Sequence, residues 1–242
     1  MTAFAALTPD EAAALLSGPG RAGIIREAAE AGIAEAEAVW GQMLLDGAEV
    51  ERDPRAALGW FMRAAASGHL HALNMVGRCY DLGQGTAVDK RRAAECFRVA
   101  AERGLVEAMY NYATLLALGE GVAEDKAAAL VWLERAAATG YAKAINFVGS
   151  FREDGWACER DLGAAADCYA RAAEGGDFRG MFNHARMLAD AGRIDAAVDW
   201  FGRAGAAGNA RFVAQAADWL ARSDVARLRG EGRAALLAGA GC

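Results

Sequence analysis

The 242-residue chain is 55% hydrophobic and has only three prolines, a composition that excludes a disordered protein. Its formal net charge of −6 argues against a nucleic-acid binder, which needs a basic face. It has no run of about 18 apolar residues, so no membrane span is expected.

In chain order, residues 1–33 are expected to form an N-terminal cap. The start, MTAFAALTPDEAAALL, lacks the basic region of a signal peptide. Pro9, Asp10 and Glu11 open a helix over residues 9–17, Ser17-Gly18-Pro19-Gly20 breaks it, and residues 22–31 read as the second helix of a degenerate unit. From Gly32 the chain keeps a fixed period. Gly32, Gly68, Gly104, Gly140 and Gly176 stand 36 residues apart. So do Gly47, Gly83, Gly119 and Gly155, and Asp53, Asp89, Asp125 and Asp161. Two alanine series, Ala36, Ala72, Ala108 and Ala144 (continued by Gly180) and Ala57, Ala93, Ala129 and Ala165, keep the same step. Interleaved series of this kind define helix-turn-helix repeats at 34–68, 70–104, 106–140, 142–176 and 178–208.

Each series has a physical reason. The closing glycines suit the left-handed residue of a helix C-cap. The aspartates can cap the second helix of each unit, and their charge suits its N-terminus. The alanines let helices approach closely, and Ala64-Ala65, Ala100-Ala101, Ala136-Ala137 and Ala172-Ala173 mark contact with the next unit. Trp60, Trp132 and Trp200 are expected to fill the space between helices, with Cys96 and Cys168 in that slot of the second and fourth units. Glu49 replaces the second turn glycine of the first unit, so that turn is expected to differ. The fifth unit is shorter by four residues between its helices, which predicts a tetratricopeptide-like turn near Gly192. Residues 209–242 are expected to be capping helices. The first covers residues 210–221, with Phe212, Val213 and Trp219 apolar. The last starts at Ser223, crosses Gly230 and Gly232 at ~1 kcal/mol each, and frays near Gly239-Ala240-Gly241-Cys242.

The unit at 106–140 resembles the Sel-one-like repeat family, relatives of the tetratricopeptide repeats. Ala108, Tyr112, Ala113, Leu116, Gly119, Gly121, Val122, Asp125, Ala129, Trp132, Ala136, Ala137 and Gly140 carry the resemblance, which extends over about residues 34–208. It implies an all-α, right-handed superhelical solenoid of about five repeats with helical caps, in one continuous domain. It also implies a protein that serves as an adaptor or scaffold. Against the family pattern the fourth unit departs: Arg152 replaces an aromatic, Ala157 replaces the second turn glycine and Trp156 is added. A secreted, cysteine-rich branch of the family links neighbouring repeats through slots that hold alanine here. Five cysteines without a C-x-x-C pair therefore read as small core residues in a reducing cytoplasm.

No catalytic motif is present: no H-E-x-x-H, no G-x-S-x-G and no phosphate loop ending in Lys-Ser/Thr. GQGTAVDK at 83–90 is the repeat turn, and GEGVAEDK recurs in that slot at 119–126. His69, His71 and His184 lack metal-ligand spacing. Lys90-Arg91-Arg92, with Arg98 and Arg103, is a solvated helix face. No cofactor or metal is expected. The informative surface is the non-core stripe of the first helices, which the resemblance places on the concave side. It carries Ala38 and Gln42, Asn74 and Arg78, Tyr110 and Thr114, Asn146 and Ser150, and Phe182 and Arg186, flanked by His71, Glu107, Lys143 and Arg179. An asparagine presents a donor and an acceptor, matching the main chain of an extended peptide. Tyr110 and Phe182 offer apolar anchors, and Arg78, Arg179 and Arg186 can meet carboxylates. The sequence thus points to a non-catalytic cytoplasmic scaffold that binds a protein or peptide segment in its groove; it leaves the oligomeric state open, with a monomer favoured. An enzyme or enzyme accessory with a polar site in the groove, and a self-assembling structural protein, are the rival readings.

Overall fold

The computed structural model describes residues 20–241, so the expected helix over residues 9–17 and the terminal Cys242 lie outside the described residues. Backbone contacts divide the chain into two compact units, residues 1–124 and 125–242, and each is described by itself. Unit one contains α1 (Arg21–Glu30), α2 (Ala34–Asp46), α3 (Pro54–Ala66), α4 (Leu70–Leu82), α5 (Lys90–Glu102) and α6 (Val106–Leu118). Unit two contains α7 (Lys126–Ala138), α8 (Ala142–Asp154), α9 (Leu162–Glu174), α10 (Phe178–Asp190), α11 (Ile194–Ala207) and α12 (Ala210–Ala221). A π-helical turn (Leu228–Gly232) and α13 (Arg233–Gly239) complete it. In unit one each helix packs on the next; in unit two the same holds from α7 to α11, and α13 packs on α11. No strand occurs among the described residues. The class is all-α, built of helix pairs.

Local chemistry sets the helix ends. Asp53 accepts from the backbone N–H groups of Arg55 and Ala56, Asp89 from Arg92, Asp125 from Ala128 and Asp161 from Ala164, at 2.8–3.0 Å. These bonds satisfy donors that open each second helix and set carboxylates against its positive end. Gly47, Gly83, Gly119 and Gly155 close the first helices with φ between +66° and +73°. Two residues later, a side chain on Gly85 would collide with the Pro54 carbonyl that opens α3. The turns with substituted glycines do not differ in conformation, correcting the expectation for Glu49. Glu49 (φ +64°) and Ala157 (φ +56°) enter the same left-handed region as Gly85 (φ +74°) and Gly121 (φ +73°). For residues with a Cβ that region costs about 1–2 kcal/mol.

The core repeats one contact, an aromatic ring of the second helix on a glycine of the first. A Cβ built on Gly41 would lie 2.8 Å from the Phe61 ring, one on Gly77 2.6 Å from Phe97, and one on Gly149 2.7 Å from Tyr169. The equivalent positions of the third repeat hold Ala113 and Leu133, both fully buried. The ring slot therefore lies one residue beyond Trp60, Trp132 and Trp200. Those tryptophans are half-buried at the helix edge, with Arg63, Arg135 and Arg203 stacked over them at 4.3–4.5 Å. Ala57, Ala93, Ala129, Ala165 and Ala197 are fully buried, as close helix approach requires. In the fifth repeat only residues 191–193 join α10 to α11, and Gly192 takes φ +75°. The tail absorbs Gly230 and Gly232 in the π-helical turn, with Leu228 and Gly232 buried.

The ring contact makes a quantitative test possible. Gly77→Ala should destabilise the chain by about 1–3 kcal/mol through overpacking. Adding Phe97→Leu, which reproduces the Ala113–Leu133 pairing, should recover part of that loss. Urea denaturation of both single variants and the double variant measures the coupling; strict additivity would refute the size-matching account.

Candidate protein-binding face

The first helices α2, α4, α6, α8 and α10 carry the stripe singled out in the sequence. Within unit one, Asn74 on α4 is 7% exposed, and its Oδ1 accepts a hydrogen bond from Asn111 Nδ2 on α6 at 2.9 Å. Within unit two, Asn146 on α8 is 8% exposed, and its Oδ1 accepts from Asn183 Nδ2 on α10, also at 2.9 Å. Each of these asparagines is thus the buried half of a side-chain amide pair that joins consecutive first helices. Asn111 and Asn183, the half-buried partners, were missed in the sequence. They stand 37 residues from Asn74 and Asn146, one position off the repeat register. The available signal was the 72-residue step that relates Asn74 to Asn146 and Asn111 to Asn183.

The other stripe residues have different environments. Arg78 is exposed and reaches the Met75 sulfur at 3.6 Å. Tyr110 is half-buried. The hydroxyls of Thr114 and Ser150 donate back to the carbonyls of Tyr110 and Asn146, at 2.9 and 3.5 Å. Phe182 packs against Phe201, Phe212 and Trp219, with ring centroids 5.3–5.9 Å apart. Arg186 places both arms of its guanidinium on Glu153, at 2.7 and 2.6 Å. Tyr169 adds its hydroxyl to Glu153 at 2.6 Å and lies 3.3 Å from Ser150 Oγ.

Glu153, Arg186 and Tyr169 form one hydrogen-bonded polar cluster in unit two. The Arg186 guanidinium holds the Glu153 carboxyl below its ordinary range. Burial, then the bond to Glu153, pushes the Tyr169 phenol upward. Both shifts move away from neutrality, so the carboxylate stays charged and the phenol stays protonated. That is the opposite of a poised acid–base pair. Among the described residues no group of three or more His, Cys, Asp or Glu is placed to hold a metal ion. His69 caps α4 by accepting from Ala72 N–H and meets Glu35 at 2.8 Å, while His184 stands edge-on to Trp200. No helix among the described residues is long and apolar enough to cross a membrane.

Helix pairs at a 36-residue step, with a varied first-helix face over a repeated core contact, define a helical-repeat protein of the kind that binds other proteins. The chain belongs to the Sel1 repeat family, whose repeat matches residues 34–69, 70–105, 106–141, 142–177 and 185–209. The last match begins inside α10, within the shortened unit. A comparison with curated proteins finds no match. Among solved structures the chain is similar to a Sel1 repeat protein from Oxalobacter formigenes, at 26% identity and TM-score 0.71 over 87% of this chain and 89% of that one. It is also similar to c5321, a protective antigen present in uropathogenic Escherichia coli strains and displaying an SLR fold. That likeness has 25% identity and TM-score 0.68 over 91% of this chain but 48% of the other, about half its length. A likeness of fold alone links it to the immunity protein Pa5087 from Pseudomonas aeruginosa, at 17% identity and TM-score 0.57 over 84% and 75% of the two chains. Sel1 repeats are generally a non-enzymatic, protein-interaction fold.

The Glu153 cluster predicts a pH dependence. The native carboxyl binds its proton less tightly than an unfolded one. Its stabilisation is therefore complete above the ordinary glutamate range and drains as pH falls through the native value. Glu153→Gln should cost about 1–3 kcal/mol at neutral pH and flatten the acid limb of stability against pH. An unchanged acid limb in urea titrations would refute the assignment.

Proposed function

We propose that this protein is a non-catalytic adaptor that holds an extended segment of a partner protein on its first-helix face. The observation that carries the reading is the amide pair, Asn74 with Asn111 and Asn146 with Asn183, one in each unit. In each pair the buried asparagine fixes the orientation of its half-buried partner. The partner then has amide capacity left over, suited to the alternating donors and acceptors of a main chain. Arg78, Tyr110 and Thr114 flank the first pair, and Ser150, Phe182 and Arg186 the second. In this reading Tyr110 and the Phe182 cluster supply apolar contact, and Arg78 meets an acidic side chain. Arg186 orients Glu153 toward the face and does not bind the partner itself. The chain works as a monomer in a reducing cytoplasm, where Cys79 and Cys96, pushed up to about 11 by burial, remain inert thiols.

The test is quantitative capture from native extract with three proteins. They are the wild type, Asn111→Ala combined with Asn183→Ala, and an exposed second-helix control, Glu95→Ala. The double variant should lose a specific partner by about tenfold or more, the scale of lost buried hydrogen bonds, while the control retains it. Folding of each protein is checked by its urea midpoint. Equal retention by a folded double variant would sink the assignment of the face.

A further inference from the structure

In unit one the first-helix face ends on an apolar edge that the amide pair does not explain. Its outward stripe runs His71, Met75, Arg78 and Leu82 on α4, and Glu107, Asn111, Thr114 and Leu118 on α6. The spacing i, i+4, i+7, i+11 keeps each set on one side of its helix, and none of these residues is buried. Leu82 and Leu118, the last residues of α4 and α6, are 54% and 57% exposed. Val88, 58% exposed, rests against Gly83, where an added Cβ would stand 3.0 Å from it.

The other repeats put charge at these slots. The slot of Leu82 and Leu118 holds Asp46, Asp154 and Asp190, and the slot of Val88 holds Arg52, Glu124 and Arg160. Large aliphatics gathered in water where sibling repeats are charged mark a contact surface. The Asn74–Asn111 bond joins α4 to α6 two turns earlier and so sets the gap between the two leucines. Arg78, one turn before Leu82, has no ion pair among the described residues. Nearby acids are already engaged: Lys90 holds Asp81 at 2.6 Å and Glu120 at 2.8 Å, and Asp46 accepts from Gln42 at 2.6 Å. The Arg78 guanidinium is therefore left to attract an incoming carboxylate.

Spacing decides what fits. Arg78 and Leu82 are ~6 Å apart along the helix axis. Side chains on one side of an extended segment recur every two residues, roughly 6.6 Å. We propose that the partner segment held in unit one carries an acidic residue two positions from a large aliphatic one. The acid meets Arg78, and the aliphatic side chain seats between Leu82 and Leu118, beside Val88. This rests on the first-helix reading and gives it a partner sequence pattern. A second copy of this chain does not fit the patch, because three side chains fall far short of the ~800 Å² per partner that a stable dimer buries.

The test uses the full chain and the Leu82 and Leu118 methyl resonances, assigned by their loss in Leu82→Asp and Leu118→Asp. Both changes install the residue of sibling repeats at exposed positions, and urea midpoints check folding. The probe, acetyl-Ala-Glu-Ala-Leu-Ala-Glu-Ala-amide, carries the pattern in both chain directions. Two controls replace its leucine by alanine or both its glutamates by glutamine. The probe should saturably shift both leucine methyls, and each control should bind about tenfold or more weakly. The two leucine variants should weaken the probe as much. Arg78→Gln, the residue of the first repeat, should weaken the probe and leave the glutamine control unchanged; it decides alone if the leucine variants fail to fold. A control that binds as well as the probe, folded variants that bind it as wild type does, or methyls that shift with protein concentration alone overturn the proposal. The leucine variants keep both amide pairs, and the Asn111→Ala, Asn183→Ala variant keeps both leucines. A partner lost by the amide variant, with the probe indifferent to the leucine variants, thus leaves the face standing and overturns only the anchor.

Discussion

A ring pressed against the backbone of the facing helix is the contact on which the rest of the fold depends. Phe61 on Gly41, Phe97 on Gly77 and Tyr169 on Gly149 leave no room for one extra carbon. Such an approach lets fully buried alanines, Ala57, Ala93 and Ala165 among them, seat the two helices together. The third repeat reaches the same end with Ala113 and Leu133, a larger residue on one side and a smaller one on the other. Size is traded within the pair because a close-packed interior tolerates neither a void nor a clash. The core thereby fixes the register of each helix and frees the opposite face to vary.

Which parts of this were legible follows from how many residues each feature needs. The aspartate caps and left-handed glycines act within a few residues of themselves, so the sequence displayed them directly, and all four caps form as expected. The ring slot was misplaced by one position. A tryptophan is a conspicuous large residue, but one step along a helix turns the side chain by roughly 100°, and the smaller Phe and Leu face the core. The glycine-to-residue change at Glu49 suggested an altered turn, yet there, as at Ala157, the surrounding hydrogen bonds hold the left-handed conformation at the cost of strain. Neighbouring bonds such as Asp53 N–H to the Leu44 carbonyl and Asp161 N–H to the Arg152 carbonyl, both 2.8 Å, pin those loops.

The candidate face was legible in outline and not in its pairings. Asn74 and Asn146 stood out because they share a slot, but their partners lie 37 residues on and share a different one. Arg186 was noted as a cation available to a ligand; its acid, Glu153, lies 33 residues back, and nothing local announces it. Phe182 likewise gathers Phe201, Phe212 and Trp219 from the two helices that follow. Side-chain partnerships across repeats are set by packing, and a single sequence reports packing only where the period is strict.

Under the proposed function, the surroundings of the two amide pairs assign them different tasks. The pairs themselves are alike, in distance and in the burial of the accepting asparagine. What differs is the charge beside them. In unit one Arg78 is exposed, reaches the Met75 sulfur and has no ion pair among the described residues, so a partner carboxylate there gains an ion pair without displacing another. In unit two Arg186 already spends both arms on Glu153, and Tyr169 occupies the same carboxylate. Opening that cluster would strand a half-buried charge, which costs more than a new surface pair returns. The second pair, beside the rings around Phe182, therefore favours an uncharged, apolar side chain. A shared main-chain grip with different neighbours gives one fold two distinct preferences, and selectivity resides in the residues that the repeat leaves free.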